Sequence, residues 1–137
     1  ELPFNPNQSL ALGFEKSVEG ISYADVHFDD EMQKIWEAAF SEEFSGLWGL
    51  PEEVLKGFYK YLSNGAGHKI GGYPDFAQYD PREDDNFHDT LLLQIESEWN
   101  EHYSVMFGDA GVANFFINRE DLAHCKFDDV LYNWDCS

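Results

Sequence analysis

Basic side chains are scarce in this chain, and that scarcity limits its partners before any motif is read. Eight Lys and Arg stand against 27 Asp and Glu, a formal charge of −19 at neutral pH. The imbalance is spread along the chain: residues 1–64 hold 12 acids and 4 bases, residues 65–137 hold 15 and 4. Nucleic acid and anionic membrane both need a positive footprint, so neither is an expected partner. A basic protein is the partner such a surface favours, because opposite charge speeds encounter at low salt. Cysteine is almost missing as well. Cys125 and Cys136 match neither a zinc spacing nor a Cys-x-x-Cys redox pair, and free thiols are expected in a cytoplasmic protein.

No apolar run approaches the roughly 18 residues of a membrane span; Leu91-Leu92-Leu93 stops at Gln94. The first residues lack the basic and apolar layout of a secretory signal. There is no initiating Met, and Glu1 to Asn7, with Pro3 and Pro6, reads as an extended approach cut from a longer protein. The abundant class is aromatic: twelve Phe, seven Tyr and four Trp in 137 residues. A disordered acidic tail would be poor in such residues, so the expectation is one globular domain with a bulky core.

Periodicity orders the elements. Residues 9–16 alternate partly and predict a strand; residues 21–28 predict a weaker one. Asp29 or Asp30 is expected to cap a helix with a stripe of Met32, Ile35, Trp36, Ala39 and Phe40, broken by Gly46 and Gly49. Pro51 opens a second helix with Val54, Leu55, Phe58, Tyr59 and Leu62 on its buried side, ended by Asn64-Gly65-Ala66-Gly67. Residues 65–89 read as one long irregular loop, a length often tied to function. Strands are predicted at Thr90–Glu96, Tyr103–Phe107, Val112–Asn118 and Val130–Asp135, with a helical turn at Arg119–Cys125. Segregated helices and closely spaced strands imply an α+β fold: an antiparallel sheet of about four to six strands with two main helices packed on it.

Few residues offer chemistry. His68-Lys69-Ile70-Gly71-Gly72 looks like a phosphate loop, but Tyr73-Pro74 blocks the helix that a phosphate cradle needs. The glycines are expected to let the loop pack across the sheet, with His68 holding it by a hydrogen bond. Gly108-Asp109-Ala110-Gly111 reads as a hairpin turn, with Asp109 as a carboxylate at a sheet end. Residues 80–85, rich in acids around Arg82, read as a solvated face, since calcium loops need alternating acids and a Gly. Asn114, Gln78 and Gln94 lie among apolar neighbours and are expected to bond loop backbone. No metal spacing, nucleophile elbow or cofactor motif is present. A small-ligand or enzyme reading places His68, Asp80 and Asp109 around one pocket, with Trp134 as its apolar wall.

Four ordered blocks carry a resemblance. Gly67-His68-Lys69-Ile70-Gly71-Gly72-Tyr73-Pro74 with Gln78, Leu91-Leu92-Leu93-Gln94-Ile95, Phe107-Gly108-Asp109-Ala110-Gly111-Val112-Ala113-Asn114-Phe115-Phe116-Ile117 and Val130-Leu131-Tyr132-Asn133-Trp134-Asp135-Cys136 resemble the YwqG-like family of bacterial cytoplasmic proteins. Residues 65–137 carry the match and residues 1–64 fit loosely. The resemblance implies an α+β fold, a domain of unknown function and a carboxy-terminal portion of a longer member. It supplies no catalytic residue, and associates some relatives with secreted-toxin systems as immunity proteins. The leading expectation is therefore an acidic module that binds a basic protein, ahead of a structural half and of an enzyme.

Overall fold

The computed structural model describes residues 2–62 and 65–137, so Asn64, expected within the second helix's stop, lies outside the described residues. Apolar residues four apart set the first helix, α1, Phe28–Phe40, which buries Phe28 and Met32. The expectation that Asp29 or Asp30 caps it needs correction. His27 is the capping residue, and Asp29 and Asp30 lie inside the first turn, where their charge meets the positive end of the helix dipole. The chain turns earlier because Asp25 Oδ1 accepts the His27 N–H at 2.8 Å, while Phe28 N–H donates to Asp25 O at 2.9 Å. The buried stripe is also narrower than expected, with Ile35 and Phe40 more than half exposed.

Gly46 and Gly49 do not end α1. Ser41 does, in the left-handed region at φ 56°. Gly46 instead takes φ 81° to open a short 3-10 turn, Leu47–Gly49. Helix α2, Glu52–Tyr59, follows with Pro51 as its capping residue. Its Leu55 and Phe58 join Ile21, Trp36, Leu47 and Leu62 around a cluster of Phe28, Met32, Phe44 and Leu50. Every member of that cluster lies between residues 21 and 62.

The sheet forms from the second half of the chain. Strands β1 (Thr90–Glu96), β4 (Val112–Ile117) and β5 (Val130–Asp135) pair antiparallel in the order β1-β4-β5. The central strand β4 buries Val112, Ala113, Asn114, Phe116 and Ile117. Helix α3, Arg119–Ala123, links β4 to β5; the Asn118 side chain caps it by accepting from Glu120 N–H and Asp121 N–H. Strands β2 (Glu98–Trp99) and β3 (Ser104–Val105) make a separate two-stranded ribbon. The mixed α+β class and the antiparallel pairing match the sequence reading.

Three expected strands change. The Tyr103–Phe107 strand shrinks to β3 and pairs with β2, not β4. Its other side is taken by the chain's start, through Met106 N–H donating to Pro3 O at 2.6 Å and a bridge between Phe4 and Val105. Gly108–Gly111 therefore links the ribbon to β4 rather than closing a hairpin, with Gly111 N–H bonded to Phe107 O at 2.7 Å. Residues 9–16 form no strand, and residues 21–28 give only a single bridge position, turns and the start of α1. Alternation marks a strand only where a sheet edge accepts it. Among the described residues, 9–18 make no hydrogen bond to any edge.

Residues 65–89 contain no helix or strand; a bridge joins Lys69 to Gln94. The loop covers one face of the sheet, where Phe76 stacks on Phe116 and the Arg82 guanidinium lies 4.1 Å from the same ring. No helix among the described residues is long and apolar enough to cross a membrane.

Candidate functional site

Buried polar groups, which must be paired, locate the most constrained chemistry of the molecule. Gln94 on β1 is fully buried and bonds three loop groups: its Nε2 donates to Gly65 O at 2.7 Å and Gly67 O at 2.9 Å, and its Oε1 accepts Asp75 N–H at 2.8 Å. Asn114 Nδ2 donates to Asp75 O at 2.8 Å. Asn114 Oδ1 is buried with no hydrogen-bond partner among the described residues. Half-burial beside these amides raises the Asp75 carboxyl above its ordinary range, against the pull of the Phe76 backbone N–H. The expectation that Asn114 and Gln94 bond loop backbone is met. Gln78 also bonds backbone, through Nε2 to Cys136 O at 2.8 Å.

The solvated-face reading of residues 80–85 is corrected at its centre. Arg82 is 2% exposed and Asp80 7%, whereas Glu83 and Asp84 are exposed. Arg82 Nε donates to Asp80 Oδ1 at 2.9 Å, and Nη2 donates to Asp80 Oδ2 at 2.6 Å and Asp25 Oδ2 at 2.9 Å. Val26 N–H completes Asp80 by donating to Oδ2 at 2.9 Å. Burial pulls the guanidinium pKa down, and the two carboxylates more than reverse it, leaving Arg82 above its ordinary value. The partner Asp25 lies 57 residues away, beyond the reach of any local sequence pattern.

The four candidate side chains go to separate places. His68 Nδ1 accepts Glu96 N–H at 3.1 Å, which leaves Nε2 to donate to Glu98 Oε2 at 2.8 Å. Tyr103 O–H donates to Glu98 Oε1 at 2.7 Å, and this bond, then that of His68, holds the Glu98 carboxyl below its ordinary range. The expected loop-holding role of His68 is thus met. Asp80 is consumed by Arg82 and Val26. Asp109 is exposed on the turn between β3 and β4. Trp134, 47% exposed on β5, walls a cleft of about 1020 Å³ with Pro3, Asn5, Gln8, His102 and Tyr103. Neither Asp80 nor Asp109 lines that cleft or the smaller cavity beside His68.

That smaller cavity, about 310 Å³, contains an arrangement the motif reading missed. Lys69 Nζ donates to Glu19 Oε2 at 2.6 Å and to Tyr73 O at 3.1 Å, and Tyr73 N–H donates to Glu19 Oε1 at 2.8 Å. A Cβ on Gly72, at φ 79°, would stand 2.1 Å from Glu19 Oε1. Gly72 therefore makes room for a carboxylate rather than for the sheet, while a Cβ on Gly71 would meet nothing within 4 Å. Its signal in the sequence was a Lys two residues before two glycines, but the partner Glu19 is 50 residues distant.

Two further features escaped the sequence. His88, largely buried, bridges Asp85 Oδ2 at 2.5 Å and Asp129 Oδ1 at 3.1 Å. Trp48, on the Leu47–Gly49 turn, is 94% exposed, and Glu42, Glu43, Glu52 and Glu53 on either side of it are exposed too. Among the described residues, no group of three or more His, Cys, Asp or Glu is arranged to hold a metal ion. Cys125 and Cys136 are free thiols.

A comparison with curated proteins gives no match. A family model does match, over residues 2–136, and so takes in the helical layer, the long loop and the sheet together. The chain belongs to the family described as Domain of unknown function (DUF1963).

Proposed function

We propose that this protein is an acidic binding module that docks a basic protein. The observation that carries the reading is Trp48, 94% exposed on a turn with acidic pairs before and after it in sequence. An exposed indole accepts Lys or Arg cations over its face, and neighbouring carboxylates add charge-assisted hydrogen bonds. Binding energy at protein interfaces concentrates on a few aromatic and Arg anchors that become buried in the complex. The chain's own cations neutralise this surface only in part: Lys56 pairs with Glu52 at 2.8 Å, whereas Glu42, Glu43 and Glu53 make no ion pair among the described residues. The proposal extends to the finer features of the YwqG-like resemblance, a bacterial cytoplasmic setting and an immunity-type role in which the basic partner is a toxin.

An Arg-rich peptide, titrated at low salt and followed by tryptophan fluorescence, tests the reading. Binding is expected, with affinity falling steeply as salt rises to about 0.5 M, where screening reaches only a few ångströms. Trp48→Ala should weaken it about tenfold or more, the order of a single aromatic anchor. Unchanged affinity in that variant, or binding indifferent to salt, overturns the proposal.

A further inference from the structure

We infer that Lys69, Gly72 and the Tyr73 N–H form a carboxylate-binding cradle that the chain's own Glu19 occupies, and that a small carboxylic acid is its exchangeable ligand. The inference is independent of the acidic surface around Trp48. The donor set matches a carboxylate: one ammonium faces one oxygen at 2.6 Å and one backbone N–H faces the other at 2.8 Å. Phosphate would present more oxygens than these donors satisfy. Gly72 is part of the recognition, because a side chain there would occupy the position of Oε1.

Cradle and occupant are unequally held. Lys69 is fixed to β1 by two backbone bonds with Gln94, at 3.1 and 2.8 Å, and Gln94 is itself fully buried. Glu19 arrives at the end of a segment, residues 9–18, that makes no hydrogen bond among the described residues and leaves Val18 95% exposed. Releasing the Glu19 carboxylate therefore breaks its own contacts, while Gly20, which lies close against the Tyr61 backbone, anchors the end of the segment. The cavity of about 310 Å³ beside it, walled by His68 and Ile70, has room for the body of an acid whose carboxylate replaces that of Glu19. A tethered carboxylate competes at an effective concentration in the millimolar range, so the cradle opens only to a ligand that is abundant or makes further contacts in the cavity.

The test titrates propionate, the free counterpart of a Glu side chain, into wild-type protein and Glu19→Ala, following the Tyr73 amide by nitrogen–proton NMR. Glu19→Ala should give a saturable Tyr73 shift with an affinity at least about tenfold above wild type, since the internal competitor is gone. Adding Lys69→Met should abolish saturation. Inorganic phosphate should bind more weakly than propionate in Glu19→Ala. No saturable Tyr73 shift in Glu19→Ala, an equal response in wild type, or a preference for phosphate each overturns the inference. Should Glu19→Ala lose the native amide pattern of β4, Glu19→Gln, which keeps the side chain's length, is titrated in its place and the same outcomes decide.

Discussion

The helical layer, residues 21–62, and the sheet with its covering loop, residues 65–137, are held together by different physics. The first is centred on an apolar cluster of Phe28, Met32, Phe44 and Leu50, inside which no buried side-chain hydrogen bond is made among the described residues. The second buries apolar residues as well, Leu91, Phe107, Val112, Phe116 and Ile117, and adds buried polar groups, Arg82, Asp80, Gln94 and Asn114, each tied to loop backbone or to a paired charge. Apolar packing tolerates many sequences of similar volume, whereas a buried amide or guanidinium tolerates almost none. The dense motifs of the second half therefore mark an architecture that depends on specific residues. The layers meet at Asp25 and Val26, which hand a carboxylate and an N–H to the loop.

The severest way to break this contrast is at that junction. Arg82→Ala leaves two buried carboxylates without their cation, and removing one partner of a buried ion pair costs about 3–5 kcal/mol. Urea unfolding should show that loss, and Glu83→Ala, at an exposed neighbour, should change stability by no more than about 0.5 kcal/mol. A loss below about 1 kcal/mol for Arg82→Ala would mean that the loop is held by its amides alone. Asp25→Asn sharpens the result: if the junction couples the layers, α1 amides should lose exchange protection in both variants.

Met32→Ala probes the apolar side. Truncating a fully enclosed Met creates a cavity costing about 2–5 kcal/mol, depending on how far its neighbours collapse. Exchange protection should fall across α1 and α2 while β4 amides stay protected, because every member of the cluster belongs to the helical layer. Equal loss of protection in β4 would show a single cooperative core and dissolve the comparison.

What the sequence revealed follows the same division. Strands β1, β4 and β5 and both helices were legible because their patterns are local: Leu91-Leu92-Leu93, Val112 to Ile117, and apolar residues at helical spacing. The roles of Gln94 and Asn114 were legible too, since a polar residue inside an apolar run must find a partner. Arg82 and Lys69 were misread or missed because Asp25 and Glu19 lie 50 or more residues away, and Asp80, whose cation Arg82 is only two residues on, because its burial depends on Val26, 54 residues distant. Residues 9–16 failed for the opposite reason. Their alternation is real, but a strand needs an edge, and none in the described structure receives them.

The gentlest test lies where the covering loop meets the turn before β5. His88 bridges Asp85 and Asp129. Burial lowers its pKa, but the hydrogen bonds to Asp85 and Asp129 outweigh it and leave His88 above its ordinary value. The His88 bond in turn lowers Asp85. A raised His stabilises fully below its unfolded pKa, near 6.5, and that stabilisation fades as pH rises through the folded value. A lowered Asp stabilises fully above its unfolded pKa, near 3.9, and fades as pH falls through the folded value. The clamp should therefore be strongest between about pH 4 and 6.5 and weaken on both sides. The stability difference between wild type and His88→Gln, measured by urea unfolding across that range, should peak inside the window. A difference that rises steadily toward alkaline pH would show the bridge working through a neutral imidazole. The loop would then be held here by a hydrogen bond from an uncharged ring rather than by an ion pair, leaving the Arg82 junction as the stronger of its electrostatic ties.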